Sequence, residues 1–261
     1  ALARGSGTKL QAPSRKLQAT SRKLDKTTLQ CYYVLQIKGE SMLKCPKQKQ
    51  SCHPDGWPAG RRLKKDLEKI VGGLSKPSKM PGPAYNLPAS KCITGSKLVK
   101  IPGSVCHGCY ALKGRYRFPN VQAALERRLK AIESPQWVDA MIQLIKPHKE
   151  FRWHDSGDIQ SLEHLQNIFR ICRKTPDTKH WLPTREAQIL KRVSVNEVPR
   201  NLVIRFSSHM IDQAPVNFWP WTSTVTTDGN HSCPAATQNN SCGSCRQCWD
   251  RNIKNVSYGK H

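Results

Sequence analysis

Between residues 61 and 210 the apolar positions recur with two different periods. In "RRLKKDLEKIVGGL" (61–74), Leu63, Leu67, Ile70 and Val71 fall at helical spacing and Gly72-Gly73 supplies a stop, so a short amphipathic helix is expected. "SKPSKMPGPAYNLPAS" (75–90) is punctuated by prolines and reads as a lead-in loop without regular structure. Residues 118–148 carry two helical stretches. The first opens near Asn120 and the second behind Ser134-Pro135, a capping residue followed by a first-turn proline.

From residue 150 the rhythm alternates. "EFRWHDSGD" (150–158), "KHWLPT" (179–184) and "NLVIRFSSHM" (201–210) read as strands, the first ending in polar residues. Between them, "SLEHLQNIFRICRKT" (161–175), with Leu162, Leu165, Ile168 and Phe169 on one face, and "REAQILKRV" (185–193) read as helices. Strand and helix alternating at this spacing predict parallel βαβ units. Such sheets carry their chemistry at the carboxyl ends of the strands. By that rule His154, Asp155 and Asp158, then Thr184, Arg185 and Glu186, then Ser207, Ser208 and His209 converge on one mouth.

Composition adds a charge problem. The chain has 261 residues with 43 Lys+Arg against 18 Asp+Glu, a formal charge of +25, and 37% hydrophobic residues. That charge far exceeds what solubility requires, and it points to polyanions, nucleic acid above all, as partners. The excess is concentrated early, where "TKLQAPS", "RKLQATS" and "RKLDKTT" echo one another with one leucine in seven, too few for a coiled-coil seam. Residues 1–60 are therefore expected to be a mostly disordered basic arm, read either as a nucleic-acid tether or as an unstructured or spurious extension. Residues 61–261 are expected to form one α/β metal-binding domain. No apolar run approaches a membrane span and no apolar h-region follows the basic start, so a cytoplasmic protein is expected. The sequence is silent on oligomeric state.

Eleven cysteines change the picture further. Seven fall into two glycine-containing segments: Cys92, Cys106 and Cys109 in "KCITGSKLVKIPGSVCHGCYA", and Cys233, Cys242, Cys245 and Cys248 in "SCPAATQNNSCGSCRQCW". Grouping of this kind, without an export signal, favours metal ligands over disulfides. Two separated C-x2-C pairs, Cys106/Cys109 and Cys245/Cys248, would suit zinc. The C-x2-C-x2-C run of 242–248, with Cys233-Pro234 upstream, is nearer to the spacing that wraps an iron–sulfur cubane. A three-cysteine group would leave one iron of a cubane open to a substrate or cofactor, whereas His107 or a C-terminal cysteine would complete a zinc site. Cys45 and Cys52, beside His53, lack a nearby second pair and are left out of the site. Cys172 reads as a core cysteine of its helix.

Several stretches carry resemblances. "PAYNLPASKCITG", "PGSVCHGCYALKGRYRFPNV", "RWHDSGDIQSLEHL", "LPTRE" and "HSCPAATQNNSCGSCRQCW" near "VSYGKH" resemble the phage gene product eighty-eight family over roughly residues 80–261. That implies a phage or prophage origin, hence a host-cell cytoplasm, and one coherent module. A looser likeness is to radical S-adenosylmethionine enzymes, partial (β/α) barrels with a three-cysteine cubane in an early loop. It implies that Cys92, Cys106 and Cys109 hold a catalytic 4Fe-4S cluster and that the C-terminal four hold an auxiliary one. It further implies that "HDSGD" contacts the methionine end of the cofactor. Those enzymes space their cysteines C-x3-C-x2-C with an aromatic before the third, whereas here the first gap is thirteen residues and Tyr110 follows the last. A third analogy is to tRNA-guanine transglycosylases, zinc-containing barrels in which Asp155 or Asp158 would attack a sugar carbon.

The resulting expectation is an α/β fold, a partial (β/α) barrel-like parallel sheet with cysteine-rich metal-binding loops, carrying one or two 4Fe-4S clusters or zinc. His154, Asp155, Asp158, Arg185 and Glu186 are the candidate catalytic residues. Ser156, Gly157 and Asp158 are the candidate cofactor contacts, since glycine lets backbone approach a ligand closely. The competing readings are a polar strand end in which Ser156 or Asp158 caps the next helix, and a zinc-ribbon nucleic-acid-binding protein without catalysis. His209 reads as a structural histidine. Trp219 and Trp221 read as a buried strand-end pair, with base stacking as their alternative.

Overall fold

A computed structural model describes residues 64–260. The basic arm, with Cys45, Cys52 and His53, lies outside the described residues. The elements run α1 (Lys64–Val71), β1 (Ala84–Tyr85), α2 (Gly95–Leu98), α3 (Pro119–Ala131), α4 (Trp137–Ile145), β2 (Glu150–Trp153), α5 (Leu162–Lys174), β3 (Lys179–Thr184), α6 (Ala187–Leu190), β4 (Leu202–Ser207), β5 (Thr222–Thr226) and β6 (Asn255–Gly259). All six strands form one open sheet in sequential order, and every pairing is parallel. The α/β expectation with a parallel sheet therefore holds.

Alternation along the strands divides the sheet into two unlike faces. Phe151, Trp153, Leu182, Ile204 and Phe206 enter the main core against α4 and α5, where Trp137, Met141, Leu165 and Ile168 are fully buried. On α5 these apolar positions share one face, and Ser161 caps the helix by accepting the His164 amide at 3.0 Å. The other face carries Arg152, Trp181, Arg205 and Val256, and it is covered by the C-terminal segment through Cys248 and Trp249. Arg152 stacks 4.4 Å over the Trp181 ring, and Trp249 Nε1 donates to the carbonyl of Phe151 at 3.1 Å.

Four local expectations are corrected. The proline-rich lead-in contains β1, the first strand of the sheet, because pairing with Arg152 and Trp153 fixes two residues that no local pattern marks as a strand. The helix expected behind Ser134-Pro135 opens later, at Trp137. Ser134 instead accepts the Trp137 amide through its carbonyl, forming a turn. Capping of α5 belongs to Ser161, not to Ser156 or Asp158. Strands β5 and β6 lie where no strand was expected: "TSTVT" and "NVSYG" are short and polar, and they become strands by pairing with β4 and with each other.

Candidate functional site

The carboxyl ends of β1 to β4 come together, as the rule for parallel sheets requires. The connection after β1 carries the three-cysteine loop, β2 runs into His154–Asp158, β3 into Arg185 and Glu186, and β4 into Ser208 and His209. Hydrogen bonds knit these ends. The Leu87 amide donates to the Ser156 carbonyl and Ser156 Oγ donates to the Leu87 carbonyl, both at 3.0 Å. Gly157 lies beneath Leu87 with φ +77°, and a Cβ there would sit 2.6 Å from the Leu87 Cβ. Only glycine fits such a backbone approach without strain. His154 also has a positive φ, of 56°, a conformation that for a non-glycine residue is held by its surroundings.

The two buried carboxylates act as cross-ties. Asp158 accepts the Ile159 amide and the Arg185 amide, each at 2.8 Å, and so joins the end of β2 to the end of β3. Glu186, 2% exposed, accepts the Thr94 amide at 2.9 and 3.1 Å and the Thr94 hydroxyl at 2.6 Å, holding the cysteine loop to β3. Burial, reinforced by Glu186, raises Asp158 to about 7. Burial likewise raises Asp155, opposed by the positive charge of Arg152, and burial drives His154 well below the usual histidine range. Both nitrogens of His154, Oδ1 of Asp155, Nε of Arg185 and Oγ of Ser208 are buried without a hydrogen-bond partner. Buried polar groups in this state ordinarily have a partner to find.

The sulfurs of Cys92 and Cys106 flank one bare backbone position. A Cβ placed on Gly95 would lie 3.6 Å from the first and 3.7 Å from the second. Cys109 follows one turn after Cys106, its amide donating to the Cys106 carbonyl at 3.0 Å. Burial raises the Cys92 and Cys106 thiols; the Asp158 and Glu186 carboxylates push Cys92 further upward, while at Cys106 the Arg185 charge opposes the rise. Cys233, Cys242, Cys245 and Cys248 lie elsewhere, on the sheet face of Arg152 and Arg205. Cys248 Sγ is 3.1 Å from Tyr258 Oη. Among the described residues, no three His, Cys, Asp or Glu side chains converge tightly enough to hold one metal ion.

Sequence reasoning missed three residues that shape these regions. Thr94 anchors the cysteine loop and carried no signal. Arg152 and Arg205 stand as lone cations flanked by apolar residues in their strands, a pattern that flags a specific partner. Arg205 is fully buried and donates to the carbonyls of Cys248, Ile253, Gln247 and Asp250 at 2.7–3.1 Å. Cys172 is a fully buried helix residue, Trp219 and Trp221 pack edge to face, and His209 Nε2 lies 3.1 Å from the Arg185 carbonyl.

No helix among the described residues is long and apolar enough to cross a membrane. No curated protein and no solved structure matches the chain. The family model described as gene product 88 matches residues 4–251. This match takes in most of the basic arm, which the motif resemblance left out. With nearly its whole length matched, the chain belongs to the gene product 88 family, a phage gene product family.

Proposed function

We propose that Cys92, Cys106 and Cys109 hold a 4Fe-4S cluster at the mouth of the sheet and that the chain is a radical-type enzyme acting on a nucleic acid or nucleotide. The observation that carries this reading is placement. Three thiols stand on the connection after the first of six sequential parallel strands, beside buried carboxylates at the ends of the second and third. Thiolates are the donor set that iron–sulfur clusters take.

Such a cluster, when bound, supplies a one-electron source and an open iron, with S-adenosylmethionine as the cofactor that the sequence likeness implies. The chain's own residues do the positioning. Glu186 fixes the loop through Thr94, and Asp158 ties β2 to β3. The unpartnered His154, Asp155, Arg185 and Ser208 atoms supply acceptors and donors for a polar ligand. Cys233, Cys242, Cys245 and Cys248, packed on the far face, form an auxiliary metal site with a structural role.

Anaerobic purification followed by iron, sulfide and zinc quantification tests the reading. Iron and sulfide are expected, with one cluster's worth lost in Cys92→Ser and Cys106→Ser. A colourless protein with stoichiometric zinc and no iron would overturn it. Failure of the reduced, iron-loaded protein to cleave S-adenosylmethionine would remove that cofactor and leave the cluster.

A further inference from the structure

The loop that bears Cys92, Cys106 and Cys109 has an unusual surface. Ile93, Ile101, Tyr110, Leu112 and Phe118 are exposed, Tyr110 by 61% and Phe118 by 55%, and of the large apolar side chains exposed among the described residues only Phe218 lies elsewhere. Between Glu68 and Glu126 the sequence contains no acidic residue, while Lys97, Lys100, Lys113, Arg115 and Arg117 fall within the loop. Tyr110 stands next to Cys109, its hydroxyl donating to the carbonyl of Asp155 and its ring 5.8 Å from that of Tyr116. Aromatic faces and unopposed cations are thus displayed together at the rim of the mouth.

We propose that this loop is the docking surface for single-stranded nucleic acid. Unpaired bases stack on Tyr110 and Phe118, and their phosphates lie along Lys113, Arg115 and Arg117. The reasoning is one of complementarity. A protein partner would have to bring acidic residues to match the cations, whereas a nucleic acid brings a charge with every nucleotide. A duplex would use only the cations, because its base faces are already stacked. Exposed rings beside basic side chains are the arrangement that binds unpaired bases without reading their sequence. A base held on Tyr110 would be next to Cys109 and directly above the end of β2. The inference extends the reading given above to its substrate, and it is tested without any metal-dependent readout.

The test uses the full chain and short single-stranded oligonucleotides, DNA and RNA, that contain 2-aminopurine, whose fluorescence is quenched on stacking. Quenching is expected with the wild type. Replacing a ring by leucine, in Tyr110→Leu or Phe118→Leu, should weaken binding by about tenfold, as the loss of one stacked base implies, and Tyr110→Phe should retain it. Replacing Lys113, Arg115 and Arg117 together by glutamine should reduce the salt dependence of binding by roughly two units of slope while leaving the quenching at saturation. Circular dichroism checks that each variant is folded. Unchanged affinity and quenching in the folded Tyr110→Leu/Phe118→Leu double variant would overturn the proposal. So would equal affinity for a duplex of the same length. Binding of the wild type to anionic lipid vesicles but not to oligonucleotides would assign the surface to a membrane instead.

Discussion

The two cysteine groups belong to one sheet but keep opposite company. Cys92, Cys106 and Cys109 lie at the carboxyl ends of the strands, beside Asp158, Glu186 and Arg185, on a loop whose outer surface carries exposed apolar side chains. Cys233, Cys242, Cys245 and Cys248 lie against the flat of the sheet, among arginines, on a segment nailed down by Arg205 and Trp249. Burial raises the Cys92 thiol and the Asp158 and Glu186 carboxylates add to it, whereas burial raises the Cys248 thiol only to about 11 because the Tyr258 hydroxyl and the Arg205 charge oppose it. The first group is arranged for access and the second for anchorage. Similar spacing in sequence therefore does not mean similar work.

The contrast can be broken or sharpened by mutation. The largest effect is expected from Arg205→Met. Arg205 satisfies the carbonyls of four residues in the C-terminal segment, and losing the guanidinium should destabilise the fold by about 3–5 kcal/mol in urea unfolding, since each stranded buried carbonyl costs about 1–3 kcal/mol. Lysine should not rescue it, having three donors and no planar fork. If Arg205→Met unfolds no earlier than the wild type, the segment is not anchored as described.

Gly157→Ala should come next, at about 2 kcal/mol or more, from a positive φ and a Cβ overlapping Leu87. Here the disturbance should stay at the mouth: hydrogen exchange at the Leu87 amide should accelerate while the Cys233 amide, bonded to Ser257, stays protected. Acceleration at both would show the two regions to be one cooperative unit. Glu186→Gln should have the smallest effect, about 1 kcal/mol, by weakening the carboxylate bonds to Thr94. Faster exchange at the Thr94 amide, without change in the C-terminal segment, is the expected signature.

Much of the sheet was legible because its central part obeys strong local rules. The strand "KHWLPT" is found at Lys179–Thr184 and the helix around Leu162–Lys174, where periodicity and length agree. β1, β5 and β6 were not legible. Each is short, proline-flanked or polar, and takes strand form only from a neighbour's hydrogen bonds. At the site, the convergence of His154, Asp158, Arg185 and Glu186 followed from strand order alone. That Glu186 ties down Thr94 did not, because 92 residues separate the partners and neither end carries a local signal.

The sequence by itself determined the alternation of strands and helices, the mouth at their carboxyl ends, the excess of positive charge and the division of the cysteines into two groups. These are properties of period, composition and spacing, which a chain carries before it folds. Only the tertiary structure decided which cysteines stand at the strand ends and which lie against the flat of the sheet, and which loop turns its aromatic residues outward. Those outcomes depend on which face of a sheet a distant segment covers, and that is set by contacts between residues far apart in the chain.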